Sequence, residues 1–233
     1  MKPVFTIVVP AFNEARLLPA TLARLNETVA AVPQAGEVVV TDNNSTDATA
    51  AIARDHGARV VFEPHQQIAR SRNAGARAAA GDYLFFVDAD TLVTADHIRR
   101  PLALMRHENV CGGGAVVAFD TTLGRLPERV LVRAWNRFAP KLKWACGAYI
   151  FCRRDAFEAV GGFDERYYAS EEIHLSHALR RWGKAHGMHM QIMTDTPITT
   201  SGRKLEWYGT FGLVWRALLL LACPLLLRSR RAC

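Results

Sequence analysis

Short apolar runs alternate with longer Ala-rich stretches of helical periodicity along the first ninety residues. This alternation predicts a β-α-β-α-β-α-β series. Strands connected in this way pair in parallel through right-handed crossovers, and ligands bind in the crevice at their carboxyl ends. The polar residues that follow each strand are therefore the candidates for a functional site. The predicted strands are Val4–Val9, Val38–Thr41, Arg59–Phe62 and Tyr83–Val87.

The pattern beyond residue 90 is less regular. It predicts a helix near Ala95–His107, a Gly-rich strand near Val110–Phe119, a variable segment to Lys143 and a strand around Ala145–Cys152. A further helix is predicted at Glu171–Trp182, because its leucines are one turn apart and acidic residues favour a helix N-terminus.

Composition favours one large intracellular domain. The chain has 233 residues and is half apolar, so it can bury a core without disulfide bonds. Its five scattered cysteines lack Cys-x-x-Cys spacing, which argues against a disulfide framework and a zinc knuckle. The N-terminal apolar run is too short for the core of a signal peptide. We therefore expect a protein of the reducing cytoplasm.

The net charge of +7 is compatible with nucleic acid, anionic lipid or phosphorylated partners. Arg228, Arg230 and Arg231 crowd the end of the chain behind an apolar run, and the other basic residues are spread out. No basic helix interleaved with aromatic residues is evident from the sequence. Nucleic acid is therefore not expected as a partner.

Two polar turns follow the first two predicted strands. The first is Pro10–Glu14 and the second is Asp42–Asp47, where Ser45 or Thr46 is expected to cap a helix that begins near Ala48. Neither turn contains Gly-x-Gly-x-x-Gly, and no Gly-x-x-x-x-Gly-Lys occurs, which disfavours a dinucleotide-type Rossmann domain and a P-loop nucleotidase. The alternative for the second turn alone is a simple capped turn.

The fourth predicted strand ends in two carboxylates, Asp88 and Asp90, separated by one residue. If the extended conformation continues through them, both side chains point to the same side. Mg²⁺ prefers such oxygen ligands and leaves its other positions to water and substrate phosphate. The alternative is a pair of solvated carboxylates at a strand end.

Six motifs occur in order between about residues 4 and 183. They are Val8-Val-Pro-Ala-Phe-Asn-Glu14, Asp42-Asn-Asn-Ser-Thr-Asp47, Arg72-Asn-Ala-Gly75, Val87-Asp-Ala-Asp90, Gly161-Gly-Phe-Asp-Glu165 and Glu171-Glu172. Each motif is common, but their joint order and spacing is specific. With them the chain resembles the family 2 inverting glycosyltransferases, which have the GT-A fold and use nucleotide-diphosphate sugars.

The resemblance implies an α/β GT-A fold, with a mostly parallel sheet flanked by helices, and the apolar run near the end of the chain predicts a C-terminal helix in addition. It implies a GT-A domain at 1–205, in which 1–92 is the nucleotide-binding half and 93–205 is the acceptor half. Residues 206–233 would form a separate apolar and basic segment that associates with the membrane.

The resemblance also implies a site that binds the nucleotide sugar. Asp42 would accept a hydrogen bond from the base, and Arg72 would lie along the nucleotide, although a surface arginine is the alternative. The full set is Pro10, Ala11, Asn13, Glu14, Asp42, Asn44, Arg72, Asp88, Ala89 and Arg203.

A divalent metal and a carboxylate base complete the implied site. Asp90 would bind Mg²⁺ or Mn²⁺ at the diphosphate, and Asp88 would contact the ribose or a metal-bound water. Where similar enzymes have a Glu-Asp pair, this chain has Glu171-Glu172. Glu172 is the expected base and Glu171 its substitute; the alternative is that both only complement the helix dipole.

Two further features have alternatives as well. His174 and His177, with Glu171, have spacing compatible with a transition metal, although a partly exposed helical face is the simpler interpretation. Residues 199–203 resemble a loop that closes over the diphosphate, with Arg203 as a clamp, and the alternative is a surface loop.

The segment Phe211–Leu227 is almost wholly apolar but contains Arg216 and Pro224. As a helix it would rise about 26 Å, short of a hydrocarbon core of about 30 Å. An interfacial anchor with the terminal arginines at anionic headgroups is therefore expected. The alternative is a helix packed on the domain or in a dimer interface.

Together these features predict an inverting transfer of sugar from a nucleotide-diphosphate sugar to an acceptor hydroxyl or phosphate. The expected acceptor is a sugar, a polysaccharide or a lipid-linked molecule, and the expected location is the cytoplasmic face of the cell membrane. A sugar-nucleotide nucleotidyltransferase and a non-catalytic nucleotide-sugar-binding or membrane scaffold protein are the alternatives.

Overall fold

A computed structural model of the chain describes residues 2–119 and 126–200, which form one sheet with helices on both faces. The strands are β1 (Phe5–Ala11), β2 (Gly36–Asp42), β3 (Arg59–Phe62), β4 (Tyr83–Val87), β5 (Thr91–Leu92), β6 (Val110–Phe119), β7 (Tyr149–Arg153) and β8 (His189–Thr200). The helices are α1 (Leu18–Ala31), α2 (Thr49–Asp55), α3 (Ile68–Ala78), α4 (Ala95–His107), α5 (Leu126–Leu142), α6 (Arg154–Ala159) and α7 (Glu171–Ala185).

The strand order in the sheet is β3-β2-β1-β4-β7-β6-β8-β5. The first four strands along the chain pair in parallel, which confirms the predicted series. The second half is mixed, since β6 and β8 are parallel while β7 runs antiparallel to both β4 and β6. The α/β fold is therefore as expected, and its parallel part is the half that ends in the polar turns.

Alternate residues of the central strands point to opposite faces of the sheet. On β4, Phe85 packs on the face that α1 and α4 cover, whereas Phe86 packs on the face that α3 and α7 cover. Both side chains are fully buried. Because helices cover both faces, these strands are continuous apolar runs in the sequence instead of alternating ones.

Helix α3 lies close against β1 and β2 because Gly75 has no side chain. A methyl group on Gly75 would lie 2.3 Å from Val8 Cγ1 and 2.7 Å from Thr41 Oγ1. These distances are far shorter than a normal contact between carbon atoms. The close approach brings the polar residues of α3 to the carboxyl ends of the parallel strands.

One segment differs from the sequence expectation, and another lies outside the residues that the structure describes. The segment before Lys143 that had no predicted element is largely helix α5. The loop residue Arg203 and the whole segment 206–233, including the expected C-terminal helix, lie outside the described residues. Within the described ranges, no helix combines the length and the apolar character needed to cross a bilayer.

We predict that Gly75→Ala destabilises the protein, although alanine is the better helix former by about 1 kcal/mol. Overpacking against Val8 and Thr41 costs about 1–3 kcal/mol and outweighs that gain. Urea unfolding measures the change. Arg77→Ala, at an exposed position of the same helix, is the control and should change stability by less than about 0.5 kcal/mol. A Gly75→Ala variant more stable than the parent would contradict this packing.

Candidate active site

The turns after β1 and β2 interlock through Asn13. Its backbone is in the left-handed region, with φ of 52°, as is that of Asn44, with φ of 62°. Asparagine is among the residues that tolerate this conformation. The Asn13 side-chain oxygen accepts a hydrogen bond from Thr46 N at 2.8 Å, and Asn13 N donates to Ser45 Oγ at 3.1 Å. The two expected nucleotide-binding turns are therefore one rigid unit.

Asp47 holds the start of α2, so the expectation that Ser45 or Thr46 caps this helix is wrong. The Asp47 carboxylate accepts hydrogen bonds from Thr49 N at 2.9 Å and Ala15 N at 3.1 Å, and also from the Thr49 hydroxyl. Ser45 and Thr46 are instead bonded to Asn13. Hydrogen bonds to Asn13, 32 and 33 residues away in sequence, thus take the place of the expected cap by Ser45 or Thr46.

Asp42 ends β2 at the floor of the crevice. Its side chain is buried, its Oδ1 accepts a hydrogen bond from Ser45 N at 3.0 Å, and its backbone is level with Ala11 of β1. Pro10 and Ala11 are buried in β1 below the turn, while Glu14 is half-buried and donates its N–H to Thr49 Oγ1 at 2.9 Å. Asn44 is exposed at the rim.

Arg72 of α3 joins four parts of the chain. Its side chain is only 2% exposed. Nη1 donates to Glu171 Oε1 at 2.7 Å, and Nη2 donates to Asp88 Oδ1 at 2.9 Å and to the Gly147 carbonyl at 2.7 Å. The guanidinium carbon lies 5.2 Å from the centre of the Phe163 ring. One buried cation therefore fixes the end of β4, the loop before β7 and the first turn of α7.

Burial lowers the pKa of Arg72, but the carboxylates of Asp88, Glu171 and Glu172 raise this pKa by more, so the net shift is upward. Arg72 is thus a permanent positive charge. Its Nη1 and Nη2 groups bond to the protein, while the buried Nε has no hydrogen-bond partner. The expected contact between Arg72 and the nucleotide stays a prediction.

The two glutamates of α7 have different surroundings. Glu171 is buried in its ion pair with Arg72. Glu172 is half-buried, and a methyl group on Gly147 would lie 3.7 Å from its carboxyl carbon and 3.3 Å from Arg72 Nη2. The Glu172 carboxylate thus lies beside the cation without being buried in the Arg72–Glu171 pair.

Asp88 and Asp90 lie on a turn, so the extended conformation that would point both side chains to one side does not continue through them. Strand β4 ends at Val87, and Thr91 N donates to Asp88 O at 3.0 Å. Thr21 of α1 pins the turn by donating to the Ala89 carbonyl at 2.7 Å. Asp88 reaches Arg72, whereas Asp90 Oδ1 accepts a hydrogen bond from Thr200 Oγ1 at 3.4 Å. The two carboxylates therefore have separate partners.

These carboxylates fit a divalent cation that is shared with a substrate. No group of three or more His, Cys, Asp and Glu side chains among the described residues could enclose a metal. Mg²⁺ commonly takes one or two protein carboxylates and fills its other positions with substrate phosphate and water. Asp90 and Asp88 supply hard oxygen ligands of this kind, so the turn suits such an ion and does not suit a closed metal site.

The transition-metal hypothesis for His174 and His177 is wrong for this arrangement. His174 stacks on Tyr167 with ring centres 3.9 Å apart. His177 Nε2 accepts a hydrogen bond from Trp144 Nε1 at 3.2 Å, and Glu171 pairs with Arg72. The three side chains thus have separate partners.

Sequence reasoning missed the side chains that hold the loops around the site. Asn43 accepts a hydrogen bond from Gln67 N at 3.0 Å, and Gln67 Nε2 donates to the carbonyls of Glu165 and Tyr167 at 2.7 and 2.9 Å. Asn73, part of a recognised motif, exchanges two hydrogen bonds with the Phe163 backbone. The motif at 161–165 is thus latched to α3 and leads into α7.

Comparisons with known proteins agree with this architecture. The family model described as glycosyl transferase family 2 matches residues 6–161. An uncharacterized glycosyltransferase of Mycobacterium tuberculosis is 39% identical over 98 residues, which are 42% of each chain. The succinoglycan biosynthesis protein ExoA of Rhizobium meliloti is 30% identical over 76% of this chain and 58% of its own length. The chain thus spans about two-fifths to three-fifths of these relatives.

The fold is also that of a solved structure, a mannosyltransferase of Pyrobaculum calidifontis in complex with GDP-Man and Mn²⁺. The TM-score is 0.70, the identity is 22%, and the match covers 93% of this chain and 60% of the other. At this identity the likeness shows a shared fold.

We predict that Arg72→Met lowers the free energy of unfolding by about 3–5 kcal/mol, because it leaves the Asp88 and Glu171 carboxylates without their buried cation. Denaturant unfolding of the parent and the variant measures this loss. Arg77→Met changes the same residue type on the exposed side of α3 and should cost less than about 0.5 kcal/mol. Similar small effects for both variants would contradict the role of Arg72.

Proposed function

This chain belongs to glycosyl transferase family 2, and we propose that it transfers a sugar from a nucleotide-diphosphate donor to an acceptor hydroxyl or phosphate with inversion. The observation that carries the proposal is the difference between the two glutamates of α7. Glu171 is buried in its ion pair with Arg72, while Glu172, the next residue at the start of the helix, is half-buried and its charge raises the pKa of Arg72. One carboxylate so placed is what a direct displacement requires.

In this proposal the turns after β1 and β2 hold the nucleoside. Asp42 accepts a hydrogen bond from the base, and the rigid unit around Asn13 and Asn44 shapes the pocket for base and ribose. Pro10, Ala11, Glu14 and Ala89 complete it. Support comes from the interlocked turns, since a preorganised pocket loses little entropy when a ligand binds. The division into a nucleotide half at 1–92 and an acceptor half at 93–205 belongs to the same proposal.

Asp90, with Asp88 beside it, would hold Mg²⁺ or Mn²⁺ at the diphosphate. Such a cation, when bound, neutralises the charge that grows on the departing diphosphate. The Mn²⁺ and GDP-Man in the related mannosyltransferase structure support this assignment. Thr21 and Thr200 would keep the turn in place, because one bonds the Ala89 carbonyl and the other bonds Asp90.

Glu172 would act as the base. As the acceptor oxygen forms its bond to the anomeric carbon, the bond from that carbon to the diphosphate oxygen breaks, and the acceptor proton passes to the Glu172 carboxylate. Arg72 would be a positioning residue in this step. It fixes the side chain of Glu171, the neighbour of Glu172 in α7, and the carbonyl of Gly147 in the loop that passes near Glu172.

A membrane-borne acceptor and a location at the inner membrane face remain part of the proposal. Their support is the apolar segment 211–227 with the arginines behind it, which suits an interfacial anchor. The polysaccharide role in the name of the Rhizobium relative supports a saccharide acceptor.

We predict that Glu172→Gln lowers kcat by about 10²–10⁴-fold, because the amide cannot accept the acceptor proton. Asp90→Asn should instead abolish stimulation by Mn²⁺ or Mg²⁺. The assay measures transfer from a panel of UDP-, GDP- and dTDP-sugars, with nucleotide binding followed in parallel. Glu108→Gln, at an exposed position after α4, is the matched control and should behave as the parent.

The same assay separates this function from its alternatives. Donor binding without turnover by the parent, with no effect of either substitution, would favour a non-catalytic binding protein. Synthesis of nucleotide sugars from a nucleoside triphosphate would favour a nucleotidyltransferase. Either result would contradict the proposed transfer.

A further inference from the structure

Helix α5 exposes a face on which an apolar row lies beside a basic row. The apolar row is Val130, Ala134, Phe138 and Leu142, and the basic row is Arg133, Arg137 and Lys141. The three large apolar side chains are 39% to 56% exposed, and the three basic residues are exposed as well. Residues four apart lie on the same side of a helix, so each row is a continuous stripe and the two stripes are adjacent.

The opposite face of α5 fixes the direction in which these rows point. Asn136 accepts a hydrogen bond from Val117 N at 3.0 Å and donates one to Val117 O at 2.8 Å, so it binds the helix to β6. Ala139 is buried, and the Trp135 ring lies 6.4 Å from the Trp144 ring. The apolar and basic rows therefore point away from the domain.

We propose that this face of α5 docks on an anionic lipid bilayer. In an interfacial helix, apolar side chains enter the boundary between headgroups and acyl chains while basic side chains contact anionic headgroups. Both kinds of side chain are present here in adjacent rows. Four of the five ionisable residues in the sequence of this helix are basic and one, Glu128, is acidic, so its net charge complements an anionic surface.

The positive charge of this face of α5 also argues against two other binding partners. A second copy of α5 would place its basic row against the first. The apolar segment of the chain's own C-terminal part ends in Arg228, Arg230 and Arg231 and would bring further positive charge. The large apolar side chains exposed elsewhere in the described chain are single residues on strands and turns, which need no partner.

The docking face connects directly to the helix that carries Glu172. Trp144, just after α5, donates from Nε1 to His177 of α7 at 3.2 Å. Arg180 of α7 donates to the Leu142 carbonyl at 3.0 Å, and Ser176 Oγ accepts a hydrogen bond from Ala145 N at 3.1 Å. A docked α5 would therefore hold the middle of α7, and with it the helix that carries Glu172, near the bilayer. This docking extends the membrane location in the proposed function to a second surface, and because lipid binding requires no turnover, it can fail while the proposed transfer stands.

Cosedimentation of the full chain with vesicles tests the basic row. The vesicles are phosphatidylcholine with or without phosphatidylglycerol. Replacing Arg133, Arg137 and Lys141 together by Gln should weaken binding to the anionic vesicles by about a hundredfold, since each basic residue near such a surface contributes about a factor of five. The control replaces Arg54, Arg77 and Arg106, which are exposed on other helices, and removes the same charge. This control variant should weaken binding to the anionic vesicles by less than about tenfold.

Unchanged binding of the α5 variant, or equal losses in both variants, would overturn the proposal. A local measurement then separates α5 from the C-terminal segment. A photoreactive phenylalanine analogue at position 138 should crosslink to lipid when the chain binds anionic vesicles. The same analogue at position 62, exposed on the edge strand β3 far along the sheet from β6, should not. Bound chain without lipid adducts at 138, or with adducts to a second copy instead, would overturn the proposal.

Discussion

The buried charge of Arg72 is the constraint on which the rest of the site depends. A cation that is 2% exposed is stable only with anionic or carbonyl partners at hydrogen-bond distance. Asp88, Glu171 and Gly147 provide them, and they come from three parts of the chain that are far apart in sequence. Bonding both terminal nitrogens of this guanidinium thus requires α3, the end of β4, the loop before β7 and the start of α7 to meet. This meeting point is also where Glu172 and the Asp88–Asp90 turn lie.

The parallel half of the sheet supplies the other part of the site. Because β1, β2 and β4 run in the same direction, their polar turns lie at one edge, and Gly75 allows α3 to approach that edge. Asn13, Asp47 and Asn43 then bond the turns to each other and to α3. The mixed half presents α7 on one side of this crevice and α5 on the surface beside it. The proposed crevice for a nucleotide sugar and the proposed lipid-docking face of α5 are in this way parts of one framework.

Much of the fold follows from the local pattern. The predicted bounds of β3, β4, β6 and α4 agree with the structure, because strong apolar periodicity between polar turns leaves few alternatives. The resemblance predicted Glu172, Asp42 and Asp90 as site residues, but it did not predict the side chains and backbone groups that they contact. The bond from Ala15 to Asp47, the bond from Thr21 to the Ala89 carbonyl and the latches by Asn43 and Gln67 join residues far apart in sequence, which no local pattern encodes. Helix α5 was missed because its exposed apolar row obscures the usual division into a buried and a polar face.

We propose that Arg72 acts on the reaction through the position of Glu172. The most direct test of this proposal is a double-mutant cycle in kcat between Arg72→Lys and Glu172→Gln, with the nucleotide sugar that supports turnover. Lysine keeps the charge but cannot bridge three partners in one plane. We expect Arg72→Lys to lower kcat by about 10–100-fold when Glu172 is present. The same substitution should have little further effect on kcat in a chain that already carries Glu172→Gln. Losses that multiply in the double variant, or a parent-like kcat for Arg72→Lys, would contradict the proposal.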